Sequence, residues 1–210
     1  MIINHTYHFC YFAIPRTASK AISKVLVEEL GSEEVYQMHL GYEDFLKIAS
    51  EEEKGYYKFA SIRNPLDSVV SAYFKKRADH NGRFSRGTFK KGKPIAPAAL
   101  AEYDFIVNQG ADFPTYFKEF FKDPYHRPKH EATVRNMNAL IRFENLQADF
   151  NEIMDQLALP QLEIPIFNKT AERRPDFLTY YTPEIKDQAI RCFSPIMADW
   201  GYDFPPQWKE

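Results

Sequence analysis

Two short segments, their arginines 47 positions apart, hold residue types suited to gripping phosphate: Ile14-Pro15-Arg16-Thr17-Ala18-Ser19-Lys20, and Arg63-Asn64-Pro65-Leu66-Asp67 followed by Ser71-Ala72-Tyr73-Phe74. Each joins an apolar strand-like run to a helix-like run, the place where α/β proteins present backbone N–H groups and the positive end of a helix to an anion. A phosphate at the first turn would receive charge-assisted, hydroxyl and backbone N–H hydrogen bonds together. At the second, an arginine at a strand end and a serine one turn into the next helix can converge on one phosphate. Asp67 suits the first turn of that helix as a cap. The first turn by itself would also fit an ordinary strand-to-helix connection. The pair suggests a ligand with two separate phosphate groups. Neither segment carries the Gly-x4-Gly-Lys-Ser/Thr loop whose hydroxyl holds magnesium, which argues against magnesium-dependent phosphoryl transfer.

The elements that must position these turns alternate strand and helix. Tyr7 to Ile14 is a dense apolar run, short enough for a strand buried on both faces. After the first turn, Ile22, Val25, Leu26 and Leu30 keep helical spacing up to Gly31, a good C-terminal stop. Val35 to Leu40 reads as a second strand and Tyr57 to Ile62 as a third, ending at the second turn. Leu66, Val69, Val70, Tyr73 and Phe74 form one helical stripe. Asn138 to Phe143 reads as a strand, and Leu146, Phe150, Ile153, Met154 and Leu157 as the inner face of a helix. The last clear helix starts at Thr182-Pro183 and carries Ile185, Ala189, Cys192, Phe193 and Ile196. Such alternation implies an α/β fold, a mainly parallel sheet covered on both faces. Phe113, Tyr116, Phe117, Phe120 and Phe121 are spaced as a core-facing helix.

Composition bounds the rest. With 210 residues, 44% of them hydrophobic, the chain can bury a sizeable core, and a single domain over 1–210 is expected. A formal net charge of -2 points to neither disorder nor a general nucleic-acid partner. No apolar run approaches 18 residues and no leader-like segment is visible, so no membrane insertion and a cytoplasmic location are expected. Cys10 and Cys192 are too few for a disulfide framework and lack metal-ligand spacing; buried reduced thiols are the reading. Between Lys75 and Lys93 stand eight Lys or Arg and one acid, Asp79. That stretch, part of an insertion around 75–97, reads either as a solvated basic loop or as a mobile flap over an anionic substrate.

Together the motifs resemble those of sulfotransferases that use 3'-phosphoadenosine 5'-phosphosulfate (PAPS). Ile14 to Ser19 looks like the 5'-phosphosulfate loop, and Ser61 to Asp67 with Val70 to Phe74 looks like the 3'-phosphate motif. The closest likeness is to carbohydrate sulfotransferases, particularly the heparan sulfate 2-O-sulfotransferase branch and its small bacterial relatives. There it extends to Met38-His39-Leu40-Gly41-Tyr42-Glu43-Asp44-Phe45, to Ile141-Arg142-Phe143-Glu144-Asn145-Leu146 and to Asn168-Lys169-Thr170-Ala171-Glu172-Arg173. The resemblance implies a three-layer fold related to P-loop nucleotide-binding proteins, with PAPS as donor, adenosine 3',5'-bisphosphate as product and no metal. Arg16 would contact the 5'-phosphate and the bridging oxygen, with Thr17, Ala18, Ser19 and Lys20 completing the cradle. Arg63 and Ser71 would hold the 3'-phosphate, with Thr170 and Arg173 closing over it.

His39 matches the position of the catalytic base in that branch. Sulfuryl transfer needs the acceptor hydroxyl deprotonated as it attacks in line, and a group titrating near 7 suits the task. Glu34, Glu43 and Asp44 remain alternative bases, whereas His5, His8, His80, His126 and His130 lack comparable context. Glu144 reads as structural. The acceptor would be a hydroxyl, implied to be that of a saccharide, and the basic window fits an anionic one. The alternatives are a kinase or nucleotide hydrolase of related fold, or a noncatalytic bisphosphonucleotide-binding protein.

Overall fold

Strands β2 (Phe9–Phe12) and β4 (Tyr57–Ile62) lie side by side and parallel at the centre of a five-stranded sheet in a computed structural model that describes residues 1–89, 92–165 and 173–208. The sheet order is β3-β1-β2-β4-β5, with β1 at Ile2–Asn4, β3 at Glu33–Glu34 and β5 at Ala139–Arg142. β4 also pairs parallel with β5, while β1 pairs antiparallel with both β2 and β3. Four strands therefore run one way and β1 runs against them. The parallel side is the one that carries both anion-type turns. Contact clustering divides the chain into two compact units: Met1–Asn64, His126–Lys169 and Asp199–Tyr202 in one, Pro65–Tyr125, Thr170–Ala198 and Asp203–Glu210 in the other.

The first unit holds the sheet and is layered. On one face, Phe9, Tyr11 and Phe59 of the strands pack in one cluster with Ile22, Val25 and Leu26 of α1 (Ser19–Leu30) and Phe150, Ile153 and Met154 of α8 (Leu146–Gln156). The alternate residues of β2 face the other way, as period two requires. Phe12 meets Phe45 of α2 (Tyr42–Ile48) edge-on at 5.3 Å, and the Cys10 thiol reaches the Glu53 carbonyl of α3 (Glu51–Gly55). The thiol is free and fully buried, and burial pushes it up to about 12, so it stays protonated. Helix α7 (Pro128–Arg135) joins α2 through Thr133 Oγ1, which accepts from the Tyr42 N–H at 3.1 Å. Helix α1 ends as its spacing predicts, on Gly31 at φ 63, where the absence of a Cβ makes the left-handed stop inexpensive.

Two sequence expectations change in this unit. Val35 to Leu40 is not a strand: pairing stops at Glu34, Tyr36 takes φ 63, and the Leu40 N–H turns back to Gln37 O, so that His39 rides on a turn. Strand β1, between β3 and β2, was not anticipated, because three residues carry no readable periodicity.

The second unit is helical among its described residues: α4 (Pro65–Arg77), α5 (Pro97–Val107), α6 (Phe113–Phe120) and most of α9 (Pro183–Asp199). Phe113, Tyr116 and Phe117 are buried as their spacing predicts, whereas Phe120 is exposed. Helix α4 is buried beyond its apolar stripe, with Asp67, Ser68, Ser71 and Lys76 also inside. Lys76, counted in the basic window, is a buried cation 2.8 Å from the Glu102 carboxylate. Beyond α4, the Asp79 carboxylate accepts from the N–H groups of Phe84 and Ser85, Phe84 stacks on Tyr103, and Thr88 bridges Pro94. The described part of the basic stretch thus has internal structure; Lys90 and Lys91 lie outside the described residues. Cys192 is also a free, buried thiol, pushed up to about 11 by burial.

Candidate active site

Parallel pairing sets Phe12 beside Ala60, so the chain leaves both strands on the same side of the sheet and the two anion-type turns become neighbours. The first turn carries two residues in the left-handed region without being glycine, Arg16 at φ 75 and Ala18 at φ 59. Such conformations cost about 1 kcal/mol each and persist only where surroundings enforce them. Here the enforcement is a chain of buried hydroxyls. Thr17 Oγ1 donates to the Ile14 carbonyl at 2.8 Å, which leaves it to accept from Ser61 Oγ at 2.5 Å. Ser61 then accepts from the Tyr11 phenol at 2.6 Å. Each hydroxyl has one proton, so the chain has a single direction, from Tyr11 to the loop. Burial holds the Tyr11 phenol well above its usual range, which keeps it a donor. Thr17 therefore shapes the turn from within and its hydroxyl is engaged with the protein. At the N-terminus of α1, Ala18 makes no side-chain cap; Ser19 is buried and Lys20 exposed.

The second turn is locked onto the first. Arg63 is buried, its guanidinium lies over the Phe143 ring at 4.0 Å and donates to the Arg16 carbonyl at 3.3 Å. Burial pulls Arg63 down to about 10, against the raising effect of Glu144 and Tyr202, so it remains a cation at neutral pH. Glu144 clasps the same turn, accepting from the Asn64 N–H and from the Tyr202 phenol, each at 2.8 Å. That makes Glu144 structural, as its place after a strand suggested.

His39 joins the group through the loop's own backbone. Its Nδ1 lies 2.8 Å from the Ala13 carbonyl, and a carbonyl can only accept, so Nδ1 carries the proton. In the neutral ring Nε2 is then a lone pair, the form a general base needs. Two residues further along the chain, Gly41 joins Glu43, Asp44, Pro128 and Lys129 in lining a cavity of about 210 Å³. A Cβ on Gly41 would fall 2.7 Å from the Lys129 side chain. Asp44 is shared by Lys47 at 3.3 Å and Lys129 at 3.6 Å, an engagement that His39 does not have.

Ser71 and Arg173 belong to the second unit. Ser71 is buried on α4. Arg173 is paired with Asp67, so this carboxylate, expected as a helix cap, is an ion-pair partner. Thr170, with Asn168, Lys169, Ala171 and Glu172, lies outside the described residues. Sequence reasoning missed three participants in the first unit: Ser61 as the hub of the hydroxyl chain, the Ala13 carbonyl, and His130. Burial first, and then the neighbouring cations Arg127 and Lys129, push His130 down to about 3. The only available signal was the interleaving of His130 with basic residues on a short helix.

A family model described as the sulfotransferase family matches residues 1–194, and the chain belongs to that family. No curated protein and no solved structure gave a match. Sulfuryl transfer to a hydroxyl-bearing acceptor is the activity of the family. Among the described residues, no helix is long and apolar enough to cross a membrane and no cluster of three or more His, Cys, Asp or Glu is arranged to hold a metal.

Two outcomes follow from this geometry. Ser61→Ala leaves the buried Tyr11 hydroxyl without its acceptor and should lower stability by about 1–3 kcal/mol in urea unfolding, whereas an unchanged midpoint would contradict the hydroxyl chain. His130 takes a proton in the unfolded chain near pH 6.5 but in the folded one only near 3. The unfolded state binds more protons between these values, so stability falls as pH drops through that window. His130→Gln should flatten that part of the Tm-against-pH curve.

Proposed function

We propose that the protein moves a sulfuryl group from PAPS to a hydroxyl of a carbohydrate acceptor, with His39 as general base. The observation that carries this reading is the join between the turns: Arg63 donates to the Arg16 carbonyl, and His39 hangs from Ala13 of the same loop. The residues suit a bisphosphorylated donor. The uncapped start of α1 presents N–H groups and a partial positive charge, and two guanidiniums belong to the joined turns. Arg16 to Lys20 would hold the 5' side, Thr17 through the loop shape it enforces. Arg63 and Ser71 would hold the 3'-phosphate, with Thr170 and Arg173 closing on it and Asp67 orienting Arg173. PAPS, when bound, supplies the sulfuryl group on a mixed anhydride.

His39 keeps its Nδ1 proton on the Ala13 carbonyl and takes the acceptor's hydroxyl proton at Nε2. Arg16 meets the charge that gathers on the departing phosphate, the kind of preorganised cation whose loss costs about 3–4 kcal/mol. The cavity lined by Glu43, Asp44 and Lys129, a few residues along the chain from His39, offers acceptors and a donor suited to sugar hydroxyls. The likeness of the Met38 to Phe45 and Ile141 to Leu146 segments to carbohydrate sulfotransferases supports the same acceptor class.

Sulfate incorporation into a panel of saccharides, measured beside nucleotide binding, tests the roles. His39→Ala should lose about 10²- to 10⁴-fold in kcat with adenosine 3',5'-bisphosphate affinity retained. Arg16→Ala should lose both turnover and affinity. A His39→Ala enzyme that turns over at the native rate would remove His39 as the base.

A further inference from the structure

The second unit contains a pocket that none of the proposed donor or base residues lines. It has a volume of about 280 Å³ and sits among Tyr73, Phe74, Phe113 and Tyr180, with Arg77 and Arg174 at its rim. Its floor is aromatic: Phe74 meets Tyr180 at 5.0 Å and Tyr73 meets Phe113 at 5.5 Å, both edge to face. Each rim guanidinium stands over one of these rings, Arg77 over Phe74 at 6.0 Å and Arg174 over Tyr180 at 5.8 Å. Neither forms an ion pair with a described residue. The lone acid of the lining, Asp112, caps α6 by accepting from the Thr115 N–H, and the Thr115 hydroxyl and N–H hold it below its usual range.

The other polar groups are engaged. The Tyr73 phenol donates to the Ala111 carbonyl at 2.9 Å and is touched by Arg77. The Tyr180 oxygen accepts from the Arg174 N–H at 2.7 Å. Thr179 donates to the Asp176 carbonyl, and Thr182 to the Glu184 carboxylate. A sugar would bring several hydroxyls that need partners, and unmade hydrogen bonds are costly in a site of this kind. A flat ring with one acid group needs only what is left: ring edges and faces below, two cations above.

We propose that this pocket binds a small aryl anion, an arene bearing one sulfate or carboxylate, with the ring on Phe74, Phe113 and Tyr180 and the acid group between Arg77 and Arg174. The site stands on its own geometry and is independent of the transfer reaction.

Isothermal titration of the full chain with phenyl sulfate and with benzoate tests it. Both should bind with one-to-one stoichiometry, and phenol, inorganic sulfate and glucuronate should each bind at least about tenfold more weakly, because each lacks one of the two features. Arg77→Gln and Arg174→Gln should each weaken phenyl sulfate about tenfold while the thermal midpoint stays within about 2 °C of the parent, as expected for exposed rim residues. Saturation with adenosine 3',5'-bisphosphate should leave phenyl sulfate affinity unchanged. Glucuronate binding as tightly as phenyl sulfate, displacement by the bisphosphate, or indifference to both arginine variants would each overturn the assignment.

Discussion

The site rests on the parallel register between β2 and β4. Because Phe12 pairs beside Ala60, the two strands deliver their exits together, and residues 47 positions apart become hydrogen-bonded neighbours. Shifting that register by one residue would turn the buried rings of Phe9, Tyr11 and Phe59 away from the α1 and α8 cluster, a change opposed by the whole apolar face. Register is therefore held by the core, and the turns inherit their proximity from it. Ser61 links the two levels: it is one position from the end of β4, yet its hydroxyl sets the conformation of the turn after β2.

Charge is arranged within that frame with little freedom. Arg63 is buried against Phe143 and tied to the neighbouring turn, which costs desolvation and lowers its pKa, but leaves it charged across the physiological range. Glu144 does not neutralise it by a direct clasp; its two oxygens are spent on Asn64 and Tyr202. A buried cation in a turn that also presents backbone N–H groups is suited to an incoming anion. On the other side of the loop, the Ala13 carbonyl accepts from His39 Nδ1 and so fixes the tautomer of the ring. The carbonyls of one loop thus hold both the Arg63 guanidinium and the His39 ring.

Much of this was legible in the residues. The apolar run before Arg16, the run before Arg63 and the helical spacings after each are signals of the longer, fully buried elements, and the described strands and helices lie where those signals place them. What was not legible depends on tertiary neighbours or on elements too short to have a period. β1 has three residues, and the 35–40 segment has strand-forming composition but is broken by the left-handed Tyr36. The stripe on α4 was visible, yet nothing in its spacing announced a buried Lys76 with Glu102 or an Asp67 paired with Arg173. Thr17 reads in sequence as a phosphate ligand because hydroxyls in such loops often are. Its actual partners are Ile14 and Ser61, the second of which lies 44 residues away. For His130 the basic neighbours Arg127 and Lys129 were visible in sequence, but the burial that dominates its shift was not.

The central claim is that the joined turns recognise a nucleotide with phosphates at both ends of the ribose, Arg63 serving the 3' one. Calorimetric titration of adenosine 3',5'-bisphosphate against adenosine 5'-phosphate, on the parent chain and on Arg63→Gln, addresses it directly. The account predicts that the bisphosphate binds the parent about 100-fold more tightly, as a further set of charge-assisted hydrogen bonds would give, and that most of this preference disappears in the variant. Equal affinity of the parent for the two nucleotides would contradict it.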